Sequence, residues 1–215
     1  MSSSEAAARH TLPAIYLITP EPASASGDAL DAFVARLEAA FASGIALLQL
    51  RVKSLDANAY AALAARVIEL AHAAGARVIC NGEITPAAAL ALGADGVHLS
   101  EAALFAASSR PVAREVLLSV ACHDAASLRQ ARRIDADLVT LSPVKPTLTH
   151  PGSPALGWHG FAQCIAQAGP AVESATGRPA RPAIYALGGM THEDLPDARA
   201  HGAHGVAGIR GFGVF

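Results

Sequence analysis

Three polar side chains at alternate positions, Gln49, Arg51 and Lys53, follow the apolar residues 45–48. In a strand every second side chain lies on the same face, so we expect these three to point together. Two cations and an amide beside a segment built for burial cost free energy unless an anionic or hydrogen-bonding group meets them. The planar fork of Arg and the point charge of Lys both suit a phosphate or diphosphate. The alternative is a solvated strand end with a surface ion pair.

A second candidate for chemistry is His123, which follows an apolar strand pattern and precedes Asp124, a residue able to cap the next helix. A histidine is an acid–base group active near neutral pH and suits proton transfer between positions of a small substrate. The alternative is a structural histidine at a helix N-terminus. His98 lies between Val97 and Leu99 and is expected to pack or to orient a neighbour.

The elements that must position these residues follow a repeated pattern. A helical stretch rich in Ala and Leu ends near a glycine or an Ala-Asp pair, and a short apolar run follows, as at Gly44, Gly75, Gly93 and Gly202. Glycine at such a place is typical of a left-handed helix C-cap. Nearly continuous apolar runs are typical of parallel strands covered on both faces, so the pattern indicates an α/β architecture.

Eight strands and seven helices are predicted. The strands are residues 14–19, 46–51, 77–81, 96–99, 116–122, 138–143, 183–187 and 205–209. The helices are residues 28–42, 56–74, 85–92, 101–107, 124–134, 158–167 and 192–200. This favours a single-domain (β/α)8 TIM barrel over residues 1–215, with a doubly wound sheet as the alternative. We expect the last helix to be short or missing, and a subunit contact of a homodimer, or the N-terminal segment, to cover the last strand.

In such a barrel the functional residues collect at the C-terminal ends of the strands, and the loops after strands seven and eight commonly hold a phosphate. Asn81 ends strand three, and Gly188 and Gly189 follow strand seven. Gly208 and Ile209 end strand eight. Glycines let the backbone approach an anion closely, although a plain turn is the alternative.

Composition excludes several classes of function. The chain has 215 residues, 16% of them charged, and a net charge of −2, so no basic excess predicts nucleic-acid binding or an anionic membrane surface. No apolar run is long enough to span a bilayer. Three cysteines are too few for a disulfide framework, which predicts a reducing, cytoplasmic setting. The histidines and cysteines lack metal-ligand spacing, and no Gly-x-Gly-x-x-Gly or Walker motif is present.

From about Ile15 to Ile209 the chain resembles the thiamine-phosphate synthase/TenI family of (β/α)8 barrels. The resemblance is carried, in order, by residues 49–53, 93–98, 137–149, 186–190 and 202–209. It implies a thiazole phosphate held by the two glycine turns, at Gly188 and Gly189 and at Gly208 and Ile209. It also implies that two groups match positions of the synthase: its diphosphate-binding residues (Gln49, Arg51 and Lys53) and its loop after strand six (Thr147 and Thr149).

The chain departs from the synthase pattern at the residues that would hold Mg²⁺. The synthase reads Asn-Asp after strand three, whereas Asn81 is followed here by Gly82 and then Glu83. The second metal-binding Asp corresponds to Ala103, with Glu101 nearby, and a lysine beyond the strand-six loop corresponds to His150. A hard cation needs oxygen ligands, and departure of diphosphate needs its charge neutralised.

The TenI-like branch implies a thiazole tautomerase, which uses a His after strand five to move a proton so that the ring becomes aromatic. His123 occupies that position. The resemblance therefore predicts a tautomerase that needs no cofactor. Two alternatives stay open: an active synthase with Mg²⁺, in which Glu83 or Glu101 replaces the metal ligands, and a non-catalytic regulatory protein that binds thiazole phosphate.

Overall fold

The computed structural model describes residues 12–146, 154–169, 172–173, 179–180 and 182–215. Eight parallel strands close into one barrel, each paired with the next along the chain, and the eighth pairs with the first. At this closure Leu17 lies opposite Gly208. The strands are β1 (Ile15–Ile18), β2 (Leu47–Val52), β3 (Arg77–Gly82), β4 (Gly96–Leu99), β5 (Leu117–Cys122), β6 (Leu138–Leu141), β7 (Ala183–Leu187) and β8 (Gly205–Gly208). The predicted TIM barrel is confirmed, and the doubly wound alternative is wrong.

Seven helices lie between the strands in the described residues. They are α1 (Gly27–Ala42), α2 (Ala57–Ala73), α3 (Pro86–Ala91), α4 (Glu101–Ala106), α5 (Ala125–Arg133), α6 (Gly157–Gln167) and α7 (Leu195–Ala200). Five begin with a side chain that accepts a backbone N–H, which fixes where each loop at the C-terminal end of the barrel finishes. These caps are Ser26, Asp56, Thr85, Ser100 and Asp124. Within the described ranges, no helix has the length and apolar composition of a membrane span.

The core has two layers because side chains alternate along each strand. The outward layer packs the strands against the helices, whereas the inner layer is a small cluster that includes Tyr16, Leu47, Ile79, Leu138 and Tyr185. The rings of Tyr16 and Tyr185 lie 5.3 Å apart. This apolar floor fills the barrel, so polar groups can collect only above it, toward the C-terminal ends.

The last residues of the chain pack near the last strand. Residues 209–215 form no helix, as predicted, but the chain's own last residues pack back onto the barrel. The ring of Phe215 lies 5.6 Å from that of Phe33 in α1, and the ring of Phe212 lies 4.9 Å from that of His192. This packing supplies part of the cover that was expected from a partner or from the N-terminal segment. The homodimer stays a prediction.

The connection before β7 contains a short antiparallel pair of strands in its described residues. Val172 lies opposite Ala180, and Glu173 lies opposite Pro179. This pair belongs to a separate two-stranded sheet and leaves the barrel order unchanged.

Candidate functional site

Gln49 of β2 points into the barrel and is the centre of a polar network above the apolar floor. Its side chain is only 2% exposed. Its Nε2 donates to the Tyr16 hydroxyl at 2.9 Å and lies 3.2 Å from Nδ1 of His98, and its Oε1 accepts from Asn81 Nδ2 at 2.8 Å. The structure therefore brings Gln49 and Asn81, two predicted binding residues, into direct contact.

His98 of β4 extends this network to β5. Its Nδ1 lies 2.8 Å from the Ser119 hydroxyl, which is itself 3.2 Å from the Tyr16 hydroxyl. Because the Gln49 amide nitrogen can only donate, Nδ1 accepts from it and the ring proton is assigned to Nε2. Burial of the ring, followed by the positive charges of Lys53 and Arg51, lowers the pKa of His98 to about 3. His98 is therefore a neutral group that orients Gln49, in keeping with the orienting role expected of it.

The lowered pKa of His98 makes a prediction about stability. The folded protein keeps His98 neutral down to about pH 3, whereas in the unfolded chain its pKa is 6.5. The neutral His98 ring therefore contributes fully to the unfolding free energy above pH 6.5, and this contribution is lost as the pH falls toward 3. We expect the wild type to lose about 1–2 kcal/mol more unfolding free energy than His98→Asn between pH 7 and pH 5. Urea unfolding at both pH values measures this difference.

The matched control is His159→Asn, because His159 is exposed on α6. It should keep the pH dependence of the wild type. Equal pH dependence in the wild type and in His98→Asn would show that His98 is not held neutral by the fold.

Arg51 and Lys53 lie at the rim of the mouth, above this network. Arg51 is positioned by Thr19, which directly follows β1, because the Thr19 hydroxyl accepts from the Arg51 backbone N–H at 2.9 Å and donates to the Arg51 carbonyl at 3.0 Å. Its guanidinium contacts the Glu21 carboxylate at 3.2 Å, and the side chain of Lys53 is exposed. Arg51 lies near the C-terminal end of β2 and Lys53 directly follows this strand, and their positive charges contribute to the lowered pKa of His98.

His123 lies on the rim directly after β5, with an exposed side chain. Its Nδ1 lies 2.9 Å from the Ser142 carbonyl oxygen, and its backbone N–H donates to Ser127 Oγ at 3.0 Å. A carbonyl only accepts, so the proton of the neutral ring is assigned to Nδ1 and the lone pair to Nε2. Asp124 caps α5 by accepting from Ser127 N at 2.7 Å. His123 thus lies at the N-terminus of α5, and its ring is oriented by the Ser142 carbonyl in the loop after β6.

Gly188 and Gly189 follow β7 in left-handed conformations, with φ of 108° and 64°. A Cβ at Gly188 would lie 3.0 Å from Pro143 Cα, and one at Gly189 would lie 3.2 Å from Lys145 Cβ. The backbone N–H of Lys145 donates to the Gly188 carbonyl at 3.2 Å, and its ammonium donates to Asp194 at 2.7 Å. Conformation and packing on the loop after β6 therefore both require glycine at 188, whether or not an anion binds there.

Gly208 and Ile209 lie beside this turn. A Cβ at Gly208 would lie 3.2 Å from the carbonyl oxygen of Met190 and 3.2 Å from the Phe212 ring, and one at Gly211 would collide with the same carbonyl. The loops after β7 and β8 therefore touch each other, as a phosphate site shared between them requires. Thr147 and Thr149, the other two predicted binding residues, lie outside the described residues.

Position 82, at the end of β3, has no space for a side chain beside the ring of Tyr60. A Cβ at Gly82 would lie 2.2 Å from the Tyr60 ring. The Tyr60 hydroxyl donates to the Leu50 carbonyl at 2.8 Å and accepts from Asn81 N–H at 3.1 Å, so the ring is held in place. Among the described residues, no group of three His, Cys, Asp or Glu side chains could hold a metal ion.

Three residues of the site carry no local sequence signal that was used to predict it. Tyr16 belongs to the buried network with Ser119, Asp194 pairs with Lys145 and so connects the loops after β6 and β7, and Glu21 contacts Arg51. Alternation from Ile18 would have placed Tyr16 on the inner face, since both lie on that side of β1. No local pattern signals the partner of Glu21 or of Lys145.

Comparisons with known proteins assign the chain to a family. The family model described as thiamine monophosphate synthase matches residues 15–212. A putative thiamine-phosphate synthase of Geobacter sulfurreducens is 36% identical over 198 residues, covering 90% of this chain and 83% of that protein. A thiamine-phosphate synthase of Thermus thermophilus is 31% identical over 197 residues, covering 91% and 87%.

Among solved structures, a thiamine phosphate pyrophosphorylase from Pyrococcus furiosus has the same fold. Its TM-score is 0.67 at 20% identity, and the match covers 94% of this chain and 87% of that one. A likeness at this identity concerns the fold alone. The match of the family model over nearly the whole barrel, together with relatives above 30% identity, carries the conclusion. The chain belongs to the thiamine monophosphate synthase family.

Proposed function

We propose that this chain is a thiazole tautomerase that binds a thiazole phosphate at the mouth of the barrel. The observation that carries the proposal is the orientation of His123. With Nδ1 held by the Ser142 carbonyl at 2.9 Å, Nε2 is left as a base on the exposed rim. General acid–base catalysis requires a group in this state, able to accept one proton and return it.

The reaction is a proton shift within one molecule, so its balance needs no second reactant. Nε2 of His123 removes a proton from carbon, the electron pair moves to complete the aromatic ring, and a proton is returned at the other end of the shifted double bond. No electron leaves the substrate, and no group is transferred. The chemistry therefore requires only an acid–base group and a site that holds the substrate beside it.

The phosphate of the substrate is assigned to the touching turns after β7 and β8. Glycine at 188, 189 and 208 leaves the backbone there without side chains, and barrels commonly bind phosphate at these two loops. The rim cations Arg51 and Lys53 add positive charge at the same end of the barrel. We also propose that the substrate contacts four further side chains, those of Gln49, Asn81, Thr147 and Thr149.

The end of β3 favours a tautomerase over a synthase. A carboxylate at position 82 needs a Cβ, and that atom would lie 2.2 Å from the Tyr60 ring. Tyr60 cannot move aside without giving up its hydrogen bonds to Leu50 and Asn81. The packing of Tyr60 on Gly82 therefore supports the proposal, because an Asp at this position would displace the ring.

A second candidate function is the synthase reaction itself, which relatives at 31–36% identity carry in their names. It would join a pyrimidine diphosphate to the thiazole phosphate and release diphosphate. Glu83 is exposed after β3, and Glu101 lies in the first turn of α4. In this reaction Glu83 or Glu101 would replace the missing Asp residues as an oxygen ligand of Mg²⁺.

Two assays on the purified protein test these proposals. In the first, the non-aromatic thiazole phosphate is incubated in D₂O without added metal, and NMR follows aromatisation and deuterium uptake. In the second, pyrimidine diphosphate and thiazole phosphate are mixed with and without Mg²⁺, and released diphosphate is measured. We expect aromatisation in the first assay and no diphosphate in the second. Mg²⁺-dependent diphosphate release without aromatisation would establish the synthase instead, and binding without either reaction would indicate a regulatory protein.

A further inference from the structure

The carboxylate of Glu21 occupies a cradle of hydrogen-bond donors at the rim of the barrel. Glu21 follows β1, and all its donors come from the end of β2. Oε2 accepts from the backbone N–H of Lys53 at 3.0 Å, the backbone N–H of Ser54 at 3.2 Å and the Ser54 hydroxyl at 2.9 Å. Oε1 accepts from the Arg51 guanidinium at 3.2 Å and from Lys53 N–H at 3.2 Å.

Such a set of donors has the chemistry of an anion site. Two successive backbone N–H groups converge on one oxygen, a hydroxyl joins them, and a guanidinium completes the set. Consecutive amides that point at one place form a concavity that binds phosphate in many proteins, and Arg is the side chain best suited to phosphate oxygens. The cradle is built by the fold, since Thr19, directly after β1, fixes the backbone of Arg51.

This cradle lies at the C-terminal end of β2, beside the rim cations Arg51 and Lys53. The family resemblance matches Arg51 and Lys53 to diphosphate-binding positions, and in this chain the Glu21 carboxylate forms an ion pair with Arg51. The side chains of Arg51 and Glu21 are 33% and 38% exposed, so the cradle opens to solvent. An ion pair this exposed is weak, and a more highly charged anion can compete with it.

We propose that Glu21 is a specificity-determining residue that fills an anion site made by Arg51, Lys53 and Ser54, and so weakens binding of diphosphate groups at the mouth. The inference rests on the proposed function, because it explains how a barrel of this family would favour a substrate with a single phosphate. A diphosphate must displace the carboxylate or share the cradle with it, and like charges this close repel.

Titration of inorganic pyrophosphate, followed by calorimetry without Mg²⁺, tests the inference. Glu21→Ala empties the cradle and is expected to bind pyrophosphate about tenfold more tightly than the wild type. Glu21→Gln removes the charge but keeps an oxygen for the Ser54 hydroxyl, so it should tighten binding less, and it serves if the Ala variant does not fold. Adding Ser54→Ala to Glu21→Ala should reverse part of the gain.

Glu38→Gln is the matched control, because Glu38 is exposed on α1. Unchanged or weaker binding in both Glu21 variants, or equal tightening in Glu38→Gln, would overturn the inference. Binding of thiazole phosphate by the wild type is measured alongside. If the wild type does not bind thiazole phosphate, the proposed function is contradicted. If it binds thiazole phosphate but the Glu21 substitutions leave pyrophosphate binding unchanged, only the specificity role of Glu21 is contradicted.

Discussion

Replacement of His123 by Ala should lower the rate of thiazole aromatisation by about 10²- to 10⁴-fold, the contribution typical of a general acid–base group. The affinity for thiazole phosphate should change little, because the phosphate is assigned to the loops after β7 and β8. The imidazole is the group whose tautomer is set by the Ser142 carbonyl at 2.9 Å. Measurement of kcat by NMR and of thiazole-phosphate affinity by calorimetry separates the two effects.

His159→Ala serves as the control, because His159 is exposed on α6. It should react at the wild-type rate. Unchanged turnover in His123→Ala would remove the residue from the reaction and return it to its structural role at the start of α5. A loss of affinity equal to the loss of rate would instead make His123 a binding residue.

Replacement of Gly188 by Ala should have the largest effect on phosphate binding. Its φ of 108° is strained for any residue with a side chain, and the new Cβ would lie 3.0 Å from the Pro143 Cα and from the Val144 nitrogen. We expect a loss of about 1–3 kcal/mol of unfolding free energy. We also expect thiazole-phosphate binding to weaken by at least about tenfold, since the turn that presents its N–H groups is displaced.

Gly44→Ala separates strain from position. Gly44 has a similar φ of 99° but open space around it, and it lies before β2 at the opposite end of the barrel. It should lose stability and keep its affinity for thiazole phosphate. Equal affinities in both variants would show that the turn after β7 does not hold the phosphate.

Local pattern was enough to predict the barrel and most of its element bounds. The apolar runs of β2 and β5 fill 47–52 and 117–122, within two residues of the predicted ranges. Asp124 was expected to cap a helix, and its side chain does so. These features depend on side-chain alternation and on hydrogen bonds over three or four residues, which can be followed along the chain.

The site could be predicted only in part. Alternation placed Gln49, Arg51 and Lys53 on one face, but the contact of Gln49 with Asn81 joins residues 32 apart, and that with His98 joins residues 49 apart. His98 was expected to orient a neighbour, but the lowered pKa of its ring comes first from burial inside the barrel and then from the charges of Lys53 and Arg51. Such contacts depend on closure of the barrel, which a local sequence pattern does not predict.

The sequence by itself determined which residues are apolar strands, which side chains share a face and which family the chain resembles. Only the tertiary structure decided that Glu21 fills the cradle after β2, that Tyr60 occupies the space beside Gly82, and that Phe215 packs on Phe33. The physical reason is the separation along the chain of the residues that interact. Side-chain alternation and helix capping depend on residues close together along the chain. The contacts of the Glu21 carboxylate and of the Tyr60 ring join residues far apart along the chain, and they form only after eight strands have closed in one register.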